Sequence, residues 1–413
     1  MLADSQTFLR CDPGSTGYDF NQSLAFPPTN KKVRWWQASH FCSSQESFTL
    51  HGRAAGEDQA FLVVQGAWGA DAALAAHAAY YAITRVLKDQ GLTVVHERLF
   101  GSLAVKDAVL CARAEALRAG NLSPEGPLTY IQGLPPWGEG LAGVIIQAVA
   151  REEAWVIQDR GQAVGRGWRR GDTTFYLLQN LQGLATDGYD DNARPCQVRS
   201  LIHSAVRLLE DQGVSYRNVA RTWFYLEDIM AWYPEFNRSR SAVYRKLGLM
   251  PTNGGGTPWL PASTGIQGEV SGDAACALDL LAVAGPPESR TMVKQLRSPA
   301  QPDALSYGSA FSRGVLIQQS DVAVIQVSGT AAIDEQGKSL YPGDIRSQID
   351  CTFDKVAALI GQEGASLQDI AAACVFVKRP LDALVYQERA RALGLENLPA
   401  VIMLADICRP ELL

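Results

Sequence analysis

One pattern occurs three times in this sequence. A helical stretch ends in Gly, a short polar turn follows, and the chain then enters an apolar strand. The three segments are DQGLTVVHERLFGSLAV from Asp89, DQGVSYRNVARTWFYLE from Asp211 and QEGASLQDIAAACVFVK from Gln362. Such self-similarity restricts the fold, because each copy must build one unit of the same shape. The stretches ahead of each segment support the reading. Val198, Leu201, Ile202, Ala205, Leu208 and Leu209 fall at helical spacing, as do Ile345, Ile349, Val356, Leu359 and Ile360. Leu74, Tyr80, Ile83, Val86 and Leu87 do so more loosely. Gly91, Gly213 and Gly364 then stand where a helix ends in the left-handed conformation that Gly adopts cheaply.

A second helix is predicted after each strand, over Lys106–Arg118, Tyr233–Leu247 and Leu384–Leu393. Apolar strand regions follow: PLTYIQG with GLAGVIIQAVA, PASTGIQG with ACALDLLAVAG, and PAVIMLADICRPELL. Earlier strands are expected over Phe61–Gln65, Thr174–Leu181 and Val322–Gly329, with a turn at Asp334–Gly337. The order is strands, helix, strand, helix, strands. That grouping predicts an α+β class, each unit a mixed sheet packed on two helices, and not an alternating doubly wound sheet. Units are expected over 1–150, 151–285 and 286–413, the second break at Gly285-Pro286-Pro287.

The 413 residues carry a formal charge of −6, with no run of like charges, which argues against a nucleic-acid partner. Arg166–Arg170 reads as solvated loop. Eight cysteines without a CxxC, and five histidines, signal no metal site and no redox pair, so reduced cytoplasmic thiols are expected. The start lacks a signal-peptide pattern, and no apolar run is long enough to span a bilayer. Gly254–Gly256 reads as a flexible loop, and Trp35 and Trp36 as packing residues.

Over residues 286–413, YGSAFSRG, VSGTAAID and VFVKRP occur in an order that resembles the Rid/YjgF superfamily. ARTWFYLEDI and PASTGIQG extend the resemblance over 151–285, while 1–150 matches in pattern alone. Ordinary members are single units that trimerise, with ligand clefts between subunits. Three units in one chain therefore imply an intramolecular pseudo-trimer, with no cofactor and with a monomer or homodimer as the expected assembly. A narrower resemblance is to the chorismatase branch, carried by ARTWFY, Tyr233, Phe236, Arg240, PASTGI and the ADICRPELL ending.

Imine deamination in the wider superfamily rests on an Arg after Pro-Ala. The matching positions here are Ser263 and Val401, with Leu128 nearest in the first unit, and none replaces a guanidinium. The chorismatase resemblance instead implies a small anionic substrate that releases pyruvate. It marks Arg221, Thr264, Gly265, Tyr307, Arg313 and Arg409 as substrate-binding candidates, and Cys408 and Glu411 as catalytic ones. Cys408 matches the position that separates a hydrolysing branch from a hydroxybenzoate-forming one. The bland readings are also specific. Arg221 is then a strand-edge or unit-bridging Arg, Tyr307 and Arg313 loop anchors, Cys408 a small buried hydrophobe, and Arg409 with Glu411 a local pair. The branch carries its catalytic acid on a last strand of which the third unit shows almost nothing. Truncation, or loss of that acid together with an exposed sheet edge, is the expectation. The alternative class is a non-catalytic small-metabolite-binding module; a ribonuclease fits the charge poorly.

Overall fold

The structure is a computed structural model that describes residues 7–8, 40–45, 47–56, 58–183, 193–251, 257–270, 272, 274–286, 289, 291–319 and 322–412. Trp35, Trp36 and Gly254–Gly256 lie outside the described residues. The first sheet contains β1 (Thr7–Phe8), β2 (His40–Ser44), β3 (Phe48–Ala54), β4 (Gln59–Gly66), β5 (Leu92–Gly101), β6 (Thr129–Gln132) and β7 (Leu141–Ala150). Its spatial order is β1-β2-β3-β4-β7-β5-β6, so the last strand inserts between β4 and β5, antiparallel to both. Helices α1 (Ala72–Asp89) and α2 (Lys106–Ala119) cover one face. Asp71 caps α1 by accepting from the Leu74 backbone N–H at 2.9 Å. Ala76, Ala79, Tyr80, Ile83 and Val86 form its buried stripe, whereas Leu74, in the first turn, is 69% exposed.

The second sheet repeats that connectivity with β8 (Ala154–Asp159), β9 (Gln162–Arg170), β10 (Thr173–Gln182), β11 (Val219–Leu226), β12 (Ala262–Gln267) and β13 (Cys276–Ala284). Here β13 lies between β10 and β11, and β11 pairs with β12 in parallel. Its helices are α3 (Ala193–Glu210) and α4 (Ile229–Lys246). Continuous burial along β7, β11 and β13 follows from their near-unbroken apolar runs, which suit strands covered on both faces.

The remaining strands form two separate ribbons. β14 (Met292–Leu296), β15 (Gly314–Gln318) and β16 (Ala323–Val327) make an antiparallel meander, and β17 (Ala373–Val377) pairs in parallel with β18 (Ala400–Leu404). Helices α5 (Ile345–Gly361) and α6 (Pro380–Ala392) accompany them. Among the described residues no strand joins β16 to β17, and most of both strands is half-exposed where β11 is buried throughout.

Backbone hydrogen bonds link the three regions in a ring. Gln132 N donates to Glu269 O at 2.9 Å, Gln267 N to Asp406 O at 3.0 Å, and Leu404 N to Leu134 O at 2.8 Å. A shared apolar core runs through all three, including Phe100, Ile145, Trp223, Tyr225, Val401 and Met403.

Several expectations need correction. Arg166–Arg170 is strand β9, not loop: Trp168 is buried, and Arg170 pairs with Asp58 at 2.6 Å. Helix α4 begins at Ile229, ahead of an internal Pro234, and Trp232 takes up the kink. Helix α6 starts at Pro380, which is tolerated in a first turn because the N–H it lacks has no intrahelical acceptor there. Among the described residues no helix is long and apolar enough to cross a membrane.

Candidate functional site

A cavity of about 1420 Å³ opens between the second sheet with α4 and the two ribbons. Arg221, Thr264, Gly265, Tyr307, Arg313, Cys408, Arg409 and Glu411 all line it, brought from β11, β12, the loop before β15 and the segment after β18. Serines stitch this seam. Ser263 N donates to Ser328 Oγ at 2.8 Å, Ser328 Oγ to Ser312 O at 2.6 Å, and Gly329 N to Ser263 O at 3.1 Å.

Arginine dominates the lining. Arg98, Arg221, Arg240, Arg313 and Arg409 all face the cavity, and among the described residues none of them forms an ion pair. Arg221 is no edge residue, since β11 is flanked by β12 and β13. It is 5% exposed, donates from Nη2 to Thr264 Oγ1 at 2.5 Å, and leaves Nη1 without a partner. Its guanidinium lies 4.8 Å from the Trp223 ring centroid, and that of Arg98 lies 5.0 Å from the same ring. Burial, and then the charge of Arg98, pull the Arg221 pKa down to about 9. Despite its burial, Tyr225, Cys374 and the Asp279 carboxylate favour the charge of Arg98, whereas Arg221, buried beside it without a carboxylate of its own, is unfavourable unless an anion joins it.

At the other end, Arg240 is 1% exposed, stacks on Phe236 at 4.9 Å and donates to Asn237 Oδ1 at 2.7 Å, while its Nε has no partner. Arg313 donates through Nε and Nη2 to Pro302 O at 2.8 and 2.6 Å and lies over Tyr307, the contacts of a loop anchor. Arg409 also lies over Tyr307, at 5.9 Å. It does not pair with Glu411, which is exposed at the rim; Lys378 holds that bend by donating to Arg409 O and Pro410 O. Burial pushes the Cys408 thiol up, so it stands as a neutral thiol near Tyr233. Burial likewise pushes Tyr233 up, to about 12. A Cβ on Gly265 would meet the Tyr233 ring at 3.5 Å, so bare backbone faces the cavity there.

Sequence reasoning missed Arg98, Trp223 and Tyr225 as site residues. Arg98 sits in HERLFG, on the strand whose resemblance is weakest, and nothing local to it shows that the fold carries it to Trp223. His96 Nε2, nearby, donates to Asp279 Oδ2 at 2.9 Å, and Asp279 Oδ1 accepts from Thr129 Oγ1 and Asn180 N. Burial lowers the His96 pKa to about 4 despite Asp279.

No family model matches the sequence, and no curated protein matches it in sequence. Among solved structures, YjgF-family proteins from Neisseria meningitidis and Mycobacterium tuberculosis share 13% and 16% identity. Each covers 32% of this chain, 97% and 99% of its own length, with TM-scores of 0.25 and 0.23. A chorismatase crystal structure is 20% identical, covering 78% of this chain and 91% of the other with a TM-score of 0.56. The fold of this chain is that of a chorismatase-like protein.

Proposed function

We propose that the chain is three Rid/YjgF-like units, 1–150, 151–285 and 286–413, closed as an intramolecular pseudo-trimer. Its cavity is then a chorismatase-like cleft for chorismate or a related small carboxylate. The ring of backbone bonds from first unit to second, second to third and third to first supports the assembly. The observation that carries the function is the set of unpaired guanidinium groups converging on one cavity in a chain of net charge −6. Arg240 and Arg409 take one carboxylate, with the remaining Nη1 of the loop anchor Arg313 beside them, and Arg221 with Thr264 takes the other, an arrangement that suits planar, multidentate donors. Release of pyruvate needs a proton on the enolpyruvyl methylene carbon. Water then adds to the adjacent cationic carbon, and the hemiketal collapses to pyruvate and a ring alcohol. Loss of water from the ring gives a hydroxybenzoate instead. Cys408 and Glu411 are the catalytic candidates on this wall.

The test is to incubate the protein with chorismate and follow pyruvate by a coupled assay. Turnover that falls at least tenfold in Arg240→Gln supports the reading, and no release at micromolar enzyme refutes the enzymatic claim. A second reading, a non-catalytic binder of the same anions, is favoured by the exposure of Glu411 and the neutrality of Cys408. It predicts thermal stabilisation by chorismate without turnover.

A further inference from the structure

The seam between the first and second sheets is built from the same positions as the open cleft, but it carries a carboxylate of its own. A β-bulge fixes the correspondence. The register of β5 on β7 shifts between Val94 and His96, and that of β11 on β13 shifts between Val219 and Arg221. Glu97 on β5 therefore stands where Thr222 stands on β11. In the second sheet Thr222 Oγ1 donates to Ser263 Oγ at 2.9 Å, and Arg240 reaches the same hydroxyl from α4 at 3.4 Å. In the first sheet Arg113 approaches from α2 and meets a carboxylate instead. Its Nε donates to Glu97 Oε1 at 2.7 Å and its Nη2 to Glu97 Oε2 at 2.6 Å, a two-pronged grip. Tyr80 OH adds a third donor to Glu97 Oε1 at 2.5 Å. Arg113 is 6% exposed and Glu97 2%.

The second sheet closes over this pair. Gln179 Nε2 of β10 donates to the Glu97 carbonyl at 2.9 Å. Arg166 of β9 crosses the seam, where a Cβ on Gly126 would meet its Nη2 at 2.6 Å, and it lies near enough to Glu97 and Arg113 to feel both charges. Among the described residues Arg166 forms no ion pair. Two guanidinium groups, one from each sheet, thus converge on a single carboxylate that belongs to the chain. We infer that the first seam is a carboxylate-binding site whose occupant is the Glu97 side chain, and that a small free carboxylate such as formate takes its place when that side chain is cut back. The donors a free carboxylate needs stand ready in the Arg113 fork and the Tyr80 hydroxyl. Without Glu97 the buried Arg113 charge is left uncompensated, which makes an external anion stabilising there. In the native chain the same residue keeps free anions out of this seam. The inference concerns a different seam from the anion cleft and does not depend on chorismate turning over.

The experiment uses the full chain carrying Glu97→Thr, which copies the residue of the second sheet, with sodium formate as the probe and sodium chloride at equal ionic strength as the control. Thermal unfolding at pH 7 should show the midpoint of the variant lowered by about 5–10 °C from that of the wild type. Formate should recover at least about half of that loss and move the wild type by less than about 1 °C. Adding Arg113→Met to Glu97→Thr removes the stranded charge and should abolish the formate effect. Stabilisation by formate no greater than by chloride, or a formate effect that survives Arg113→Met, overturns the inference. Refolding from urea is the second readout. A Glu97→Thr chain that refolds only with formate supports the inference, and one that misfolds alike in formate and chloride refutes it. Pyruvate release is scored separately on the wild type, so failure here does not decide the anion cleft.

Discussion

Replacing Arg221 by Met should make the empty protein more stable while weakening its hold on a dicarboxylate. A pKa lowered from the ordinary guanidinium range to about 9 means the folded state disfavours the guanidinium's charge. The penalty is full below pH 9 and disappears as pH rises from there to the ordinary guanidinium range, so at pH 7 it amounts to about 5 kcal/mol. Against this, the substitution loses a charged hydrogen bond to Thr264, about 1.5–3 kcal/mol, and stacking on Trp223, about 1–2 kcal/mol. Met keeps much of the apolar stem volume. The balance is a gain of about 1 kcal/mol, in line with the gains seen when buried charges give way to apolar groups. Urea unfolding at pH 7 in a buffer free of organic anions measures it, with an unchanged m-value as the control for two-state behaviour. Addition of chorismate, which carries two carboxylates, should then stabilise the wild type more than Arg221→Met. A variant less stable than wild type by more than about 1 kcal/mol without ligand would show that Arg221 is already compensated, and would refute the reasoning.

Other consequences are equally direct. With a folded pKa of about 4 against 6.5 unfolded, His96 contributes stability that is present above pH 6.5 and lost as pH falls towards 4. The loss by pH 5 is about 2 kcal/mol, and His96→Gln should remove that part of the pH slope in urea titrations. Asp279→Ala strips acceptors from His96, Thr129 and Asn180 and should lower unfolding stability by about 3–5 kcal/mol. In Gly143→Ala the new Cβ would sit 2.2 Å from Val64 O and 2.7 Å from Val401 Cγ2, so thermal unfolding should report at least about 1–3 kcal/mol of overpacking.

Much of the fold was legible in the sequence, because helices with wide apolar stripes and long buried strands write their burial into local spacing. Val198 to Leu209 lie in α3, and Gly91, Gly213 and Gly364 adopt φ of 63°, 74° and 78°. The hairpin strands were harder. QAVGRGWRR mixes Gly and Arg, and its order comes from pairing with β8 and β10, which no local pattern reports. Site residues with motif neighbours, such as Thr264 in PASTGI, stood out. Arg98 did not, since its meaning depends on Trp223, far away in sequence and 5.0 Å away in space.

The claim on which the rest depends is that the cavity's unpaired guanidinium groups make it an anion site. Isothermal titration of the full chain with 3-hydroxybenzoate, repeated on Arg240→Gln, tests this most directly. Saturable one-to-one binding, weakened at least tenfold by the substitution, is the expected result. Absence of binding at millimolar ligand, or equal affinity in the two proteins, would contradict it.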